Sequence, residues 1–136
     1  MRKEQLKTVE KVWGEEIWLV NSDKYCGKYL LFDAGAQSSY HYHPVKEETF
    51  VTMEGLGTLI IEGKSYRLAP FARPKTILPG EKHMVKAITD LILIEISTPH
   101  SDDDVVRLTQ SSKASQEGLT LEEIDRIIAD KDMGLS

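Results

Sequence analysis

The sequence predicts an all-β fold, a sandwich or barrel of short strands, with one helix at its C-terminal end. Three observations point there. From Tyr29 to about Leu108, runs of β-branched and aromatic residues alternate with Gly, Pro and Asp. No apolar spacing of helical period reaches useful length before residue 118. A chain of 136 residues, 40% hydrophobic and 29% charged, has the size and balance of one domain that buries its own core.

Residues 1–12 are charged and weakly patterned, and read as a disordered start or an edge strand. Lys11-Val12-Trp13-Gly14-Glu15-Glu16-Ile17-Trp18 follows and carries both tryptophans. They read as a lid on one end of the core or as the wall of a ligand pocket. Strands are expected at Tyr29–Phe32, Thr49–Met53, Gly57–Ile61, Ser65–Leu68, Thr76–Leu78, His83–Ile88 and Leu91–Thr98. Turn chemistry separates them: Asp33-Ala34-Gly35, Glu54-Gly55, Glu62-Gly63, Ala69-Pro70, Pro79-Gly80 and Thr89-Asp90. Gln110 to Gln116 is polar and linker-like. Thr120, with Glu123 three residues on, forms a capping box. Leu121, Ile124, Ile127 and Ile128 then share one helical face, and Met133-Gly134 is a stop. The expected division is a barrel over 1–110, and a linker with an amphipathic helix over 111–136. That helix is expected to pack on the barrel or on a partner subunit.

The net charge is −5 and the pI about 5.4. Such a balance argues against nucleic acid or an anionic membrane as the main partner, because both require a clustered positive field. Cys26 is the single cysteine, so no intrachain disulfide forms and a reducing cytoplasm is the expected location. Arg2 and Lys3 are not followed by the apolar run of a signal peptide, and no stretch is long enough to span a membrane.

Gly35–Gly55, GAQSSYHYHPVKEETFVTMEG, is the most informative stretch. His41 and His43 lie two apart, so on a strand they share a face. Glu48 follows five residues later and can reach that face from a second strand. His83, in LPGEKHMVKA, is a further ligand candidate. Three imidazoles and a carboxylate with open positions suit one divalent ion per chain, zinc, manganese, iron or nickel. Lys46, two before Glu48, is the base candidate that can face inward, whereas Tyr40, Tyr42, Glu47 and Lys82 fall on the other parity. Arg73, Lys75 and Lys86 are cations placed to meet a phosphate. His100 reads as an ordinary satisfied residue.

The same stretch resembles the first motif of the cupin superfamily: Gly, five residues, His-x-His, four residues, Glu, six residues, Gly. Gly80 and His83 are similar to part of the second motif. The resemblance implies a jelly-roll barrel of six to eight strands with His41, His43, Glu48 and His83 around one metal, preceded by an N-terminal extension. Lys11-Val12-Trp13-Gly14, Leu93-Ile94-Glu95-Ile96 and Asp102-Asp103-Asp104-Val105-Val106-Arg107 further resemble the cupin domain of type II mannose-6-phosphate isomerases. The chain departs from that family at Ser39 and Pro44, where Gln and Arg are usual. This second resemblance implies an aldose–ketose isomerase of sugar phosphates, with Arg107 among the substrate-binding residues. The alternatives are a cupin that binds a sugar or sugar nucleotide without turnover, and an iron-dependent dioxygenase. A homodimer is expected, with residues 1–20 crossing to the partner.

Overall fold

The computed structural model of the chain describes residues 1–113 and Arg126. Among the described residues eleven strands alternate with turns: β1 (Lys7–Lys11), β2 (Gly14–Asn21), β3 (Cys26–Phe32), β4 (His41–Tyr42), β5 (Glu48–Glu54), β6 (Gly57–Ile61), β7 (Lys64–Leu68), β8 (Lys75–Ile77), β9 (His83–Ala87), β10 (Leu91–Ser97) and β11 (Val106–Arg107). They form two antiparallel sheets, one in the order β1-β2-β3-β10-β5-β8, the other β11-β4-β9-β6-β7. Every strand expected between Tyr29 and Thr98 is present, Gly57–Ile61 with the same bounds and the others with ends shifted by one to three residues. The total exceeds six to eight because the β1–β2 hairpin and the two-residue β4 and β11 add to the barrel. Residues 7–11 are the edge strand, paired with β2 of their own chain. The C-terminal helix, with Leu121, Ile124, Ile127 and Ile128, lies outside the described residues. Among the described residues no helix is long and apolar enough to cross a membrane.

The three central strands of the larger sheet alternate strictly. Cys26, Lys28, Leu30 and Phe32 of β3, Glu48, Phe50 and Thr52 of β5, and Leu91, Leu93, Glu95 and Ser97 of β10 all face inward and are buried. Register then sorts them along the barrel axis. Leu91 lies opposite Phe32, and Leu93 opposite Leu30. Towards the other end, Glu95 lies opposite Lys28 and Phe50, and Ser97 opposite Cys26 and Glu48. One end of the interior is therefore apolar and the other polar. Trp13, Leu30, Phe32, Leu59, Leu68, Ile77, Val85, Leu91 and Leu93 fill the apolar end. Trp13 stacks on Phe32 with ring centroids 4.0 Å apart. A second small cluster of Tyr40, Ile60 and Met84 is packed against by Leu108. Tyr40 thus has the outward parity expected of it, yet is buried.

Two glycines are fixed by close approach. Gly14 and Gly55 have φ of 149° and 89°. A Cβ on either would collide with a backbone carbonyl oxygen, of Leu31 and Asp90 respectively. Gly55, which closes the histidine-bearing stretch, lets β5 turn tightly against the start of β10.

Candidate metal centre

The polar end of the interior is a cavity of about 620 Å³, lined by His41, His43 and His83 among others. The smaller sheet delivers the histidines. β4 carries His41, β9 carries His83 directly opposite it, and His43 follows β4 by one residue. One ligand atom from each lies within 4.8 Å of the others. The larger sheet delivers Glu48 from the start of β5. Its carboxylate oxygens lie 3.3 Å from His43 Nε2 and 3.6 Å from His83 Nε2.

Backbone carbonyls set the tautomers. Nδ1–H of His41 donates to Ser39 O (2.8 Å), that of His43 to Asp104 O (2.6 Å), and that of His83 to Glu81 O (2.9 Å). A carbonyl only accepts, so each Nδ1 carries the hydrogen and each Nε2 keeps its lone pair. This is the arrangement by which ligating imidazoles are oriented. His83 Nε2 is buried and has no hydrogen-bond partner. An orphaned acceptor of this kind, facing a carboxylate, fits a cation. Separations of 3.3 and 3.6 Å also suit ligands around one ion with bonds of about 2.0–2.2 Å. Burial, with His83 and His43 adding repulsion, lowers the His41 imidazole to about 3. Burial likewise lowers His43. Both are therefore neutral, as metal ligands must be. Burial alone would push the Glu48 carboxyl up, but His83 and Lys46 beside it hold it below the ordinary range.

Behind Glu48 runs a row of buried charge. Lys46 Nζ lies 3.2 Å from Glu48 and 3.4 Å from Glu95. Burial opposes its charge, yet the two carboxylates raise the ammonium above its ordinary value. Glu95 accepts from Ser97 Oγ at 3.0 Å. Burial, and then Glu48, push its carboxyl up. Asp104 ties the loop ahead of β5 in place. Its carboxylate accepts from the Val45 and Lys46 N–H groups (2.9 and 2.8 Å), while its carbonyl orients His43.

The structure thus brings together His41, His43, Glu48, His83 and Lys46. Arg107 also lines the cavity, from β11. Arg73, Lys75 and Lys86 are not part of that lining. Arg73 is exposed and its carbonyl accepts from Lys75 Nζ, and Lys86 is exposed on β9. Both readings of the tryptophans have a place: Trp13 lies in the core, and it and Trp18 border the cavity. His100 is satisfied, but on the cavity wall. The inward parity of Lys28 among Cys26, Leu30 and Phe32, and of Glu95 among Leu91, Leu93 and Ser97, is the signal in the sequence for buried charge. The sequence marks Asp104 only as part of the acidic Asp102–Asp104 run, and its hold on the His43 loop is not legible there because its partners lie 58 to 61 residues away.

No family model and no curated protein matches the chain. Solved structures of similar fold include CapF, a capsular polysaccharide assembling protein from Staphylococcus aureus, at TM-score 0.68 and 18% identity over 77% of this chain. KdgF from Halomonas sp. has TM-score 0.63 and 21% identity, with 74% of this chain and 92% of that chain covered. Oxalate decarboxylase from Bacillus subtilis has TM-score 0.63 and 15% identity, with 76% and 30% covered. The chain spans about a third (34%) of the length of CapF. At identities this low the likeness extends to the fold alone, an antiparallel β-barrel.

Proposed function

We propose that the protein is a metal-dependent aldose–ketose isomerase acting on a sugar phosphate of the mannose-6-phosphate type. The observation that carries the reading is the convergence of three Nε2 lone pairs and the Glu48 carboxylate on a cavity of about 620 Å³, roomy enough for a small polar ligand. His41, His43, Glu48 and His83 would hold one zinc, manganese, iron or nickel ion. When bound, that ion supplies a Lewis acid that polarises a carbonyl. Lys46, kept as an ammonium between two carboxylates, supplies fixed positive charge beside Glu48 rather than a base. Arg107 at the cavity edge is the cation best placed to meet a phosphate. The carbohydrate assignment in CapF's name is compatible with a sugar ligand.

The test is to load the purified protein with zinc or manganese and incubate it with mannose-6-phosphate. Formation of fructose-6-phosphate is expected. No turnover, with affinity for the sugar phosphate in calorimetry, would instead establish a binding protein.

A further inference from the structure

Five lysine and arginine side chains line the cavity, and four of them already answer to carboxylates. Lys46 sits between Glu48 and Glu95. Lys28, 1% exposed, lies 3.7 Å from Glu16 Oε1 and donates to His100 Nδ1 at 3.1 Å. The Asp102 carboxyl is held low by His100 and, less, by Lys7 and Lys11. Arg107 is the fifth, and no carboxylate among the described residues lies within ion-pair distance of it.

Arg107 stands directly opposite His41 in the β11–β4 pair. Residues paired in this way project from the same face, which for His41 is the cavity face. The chain then runs on beside residues 37–40. Leu108 N–H donates to Tyr40 O (2.8 Å), and Ser112 and Gln37 exchange two bonds of 3.0 Å. This brings Ser111 to the cavity wall next to Ser39, whose N–H donates to Ser111 Oγ at 3.0 Å. Ser39 Oγ lies 3.1 Å from His41 Nδ1, but that nitrogen carries a hydrogen held on Ser39 O and cannot accept. The hydroxyl hydrogens of Ser39 and Ser111 therefore have no acceptor among the described residues. Ser38, beside them, differs: it accepts from Val85 N–H (2.9 Å) and donates to Ser39 O (3.1 Å). Two open hydroxyl donors and one unpaired guanidinium fork make a set of donors alone, the chemistry that takes an oxyanion.

We propose that Arg107, Ser39 and Ser111 form an oxyanion subsite that takes the phosphate of a phosphorylated ligand whose other end lies at the metal centre. The two serines are the specificity-determining residues. That the rest of the ligand is an aldose or ketose rests on the isomerase reading above. The three terminal oxygens of a phosphate monoester match three donor groups, whereas a carboxylate has two oxygens and leaves one group unmet. Ser39 meets the Nδ1 edge of His41, and the Nε2 edge faces the metal centre. The two ends of the ligand are thus held on opposite edges of one imidazole ring, so one small molecule spans both.

Calorimetry on the zinc-loaded protein tests the subsite, with mannose-6-phosphate, mannose and mannuronate as probes. Mannose-6-phosphate is expected to bind roughly tenfold tighter than the other two. Arg107→Met is expected to weaken it about 100-fold, and Ser39→Ala or Ser111→Ala roughly tenfold, the range for hydrogen bonds to a charged group. None of the three is expected to change the affinity for mannose or the zinc content. Arg107→Lys keeps the charge without the fork and should recover only part of the loss. Arg107 is exposed, so its variants read the subsite even if a serine variant loses stability. Equal binding of mannose and mannose-6-phosphate, tighter binding of mannuronate, or variants that bind mannose-6-phosphate like the wild type would overturn the proposal. If no sugar binds, phosphorus-31 NMR with inorganic phosphate decides. A resonance shift lost in Arg107→Met supports the subsite, and one that survives it or never appears overturns it. If mannose-6-phosphate binds as expected but yields no fructose-6-phosphate, the isomerase reading fails and the subsite stands.

Discussion

Lys46 decides more than a surface lysine would. It is one buried cation between two buried carboxylates, Glu48 and Glu95. Removing one partner from such a group leaves charge uncompensated, whereas the intact group contributes little net stability because desolvation offsets attraction. Lys46→Met is therefore expected to destabilise the metal-free protein by about 3–5 kcal/mol in urea unfolding. In a Glu95→Gln background the same substitution should cost less, since one of the two stranded charges is already gone. Equal costs in both backgrounds would show that Lys46 does not bridge the pair. The position of Lys46 on the inward parity was legible in the sequence. Its second partner was not, because Glu95 lies 49 residues away on another strand.

Single strands explain how the site is aimed. β4 is only two residues long, yet it pairs with both β9 and β11 and so sets His41 beside His83 and Arg107. The loop between β4 and β5 has no ladder of its own. Asp104 substitutes for one by accepting two of its N–H groups and receiving the His43 ring hydrogen. Groups of this kind, one step behind the ligands, typically change metal affinity by about 10–100-fold. Asp104→Ala should weaken zinc binding within that range by competition with a chelating dye, with little change in the affinity of His100→Gln as a control. The acidic run at Asp102-Asp103-Asp104 stood out in the sequence as a family likeness, and the structure gives two of its members different partners: His100 for Asp102, the His43 loop for Asp104.

Across the whole molecule, an apolar half supports a polar half. Leu30, Phe32, Leu91 and Leu93 close one end of the barrel, and the cavity occupies the other. A metal bound only by the folded state adds stability by mass action, about 2.7 kcal/mol at one hundred times its dissociation constant. Zinc should raise the unfolding midpoint of the wild type, and chelator should reverse it. The double substitution His41→Ala/His43→Ala should remove both the effect and the stoichiometric metal found by elemental analysis. Outside the barrel, Ile17, Tyr29, Leu31, Met53 and Ile92 form an apolar groove on the outer face of the six-stranded sheet. The expected homodimer can meet across this groove. Sedimentation of Leu31→Glu alongside the wild type checks this, with a dimer for the wild type and a monomer for the variant.

The sequence by itself determined the β class, the strands from Tyr29 to Thr98, and the shared face of His41 and His43. These follow from local rules: β-branched runs, turn residues, and the two-residue alternation of a strand. It also marked Glu48 and His83 by spacing, and Lys46 by parity. Only the tertiary structure decided that Lys28 and Glu95 lie opposite each other, that His100 and Asp102 stand on the cavity wall, that Asp104 holds His43, and that Arg73, Lys75 and Lys86 do not line the cavity. Alternation states which face a side chain takes, but not which strand lies beside it. The Lys28–His100 contact spans 72 residues. Contacts of that range are fixed by sheet order and register, which the chain acquires only when the barrel closes.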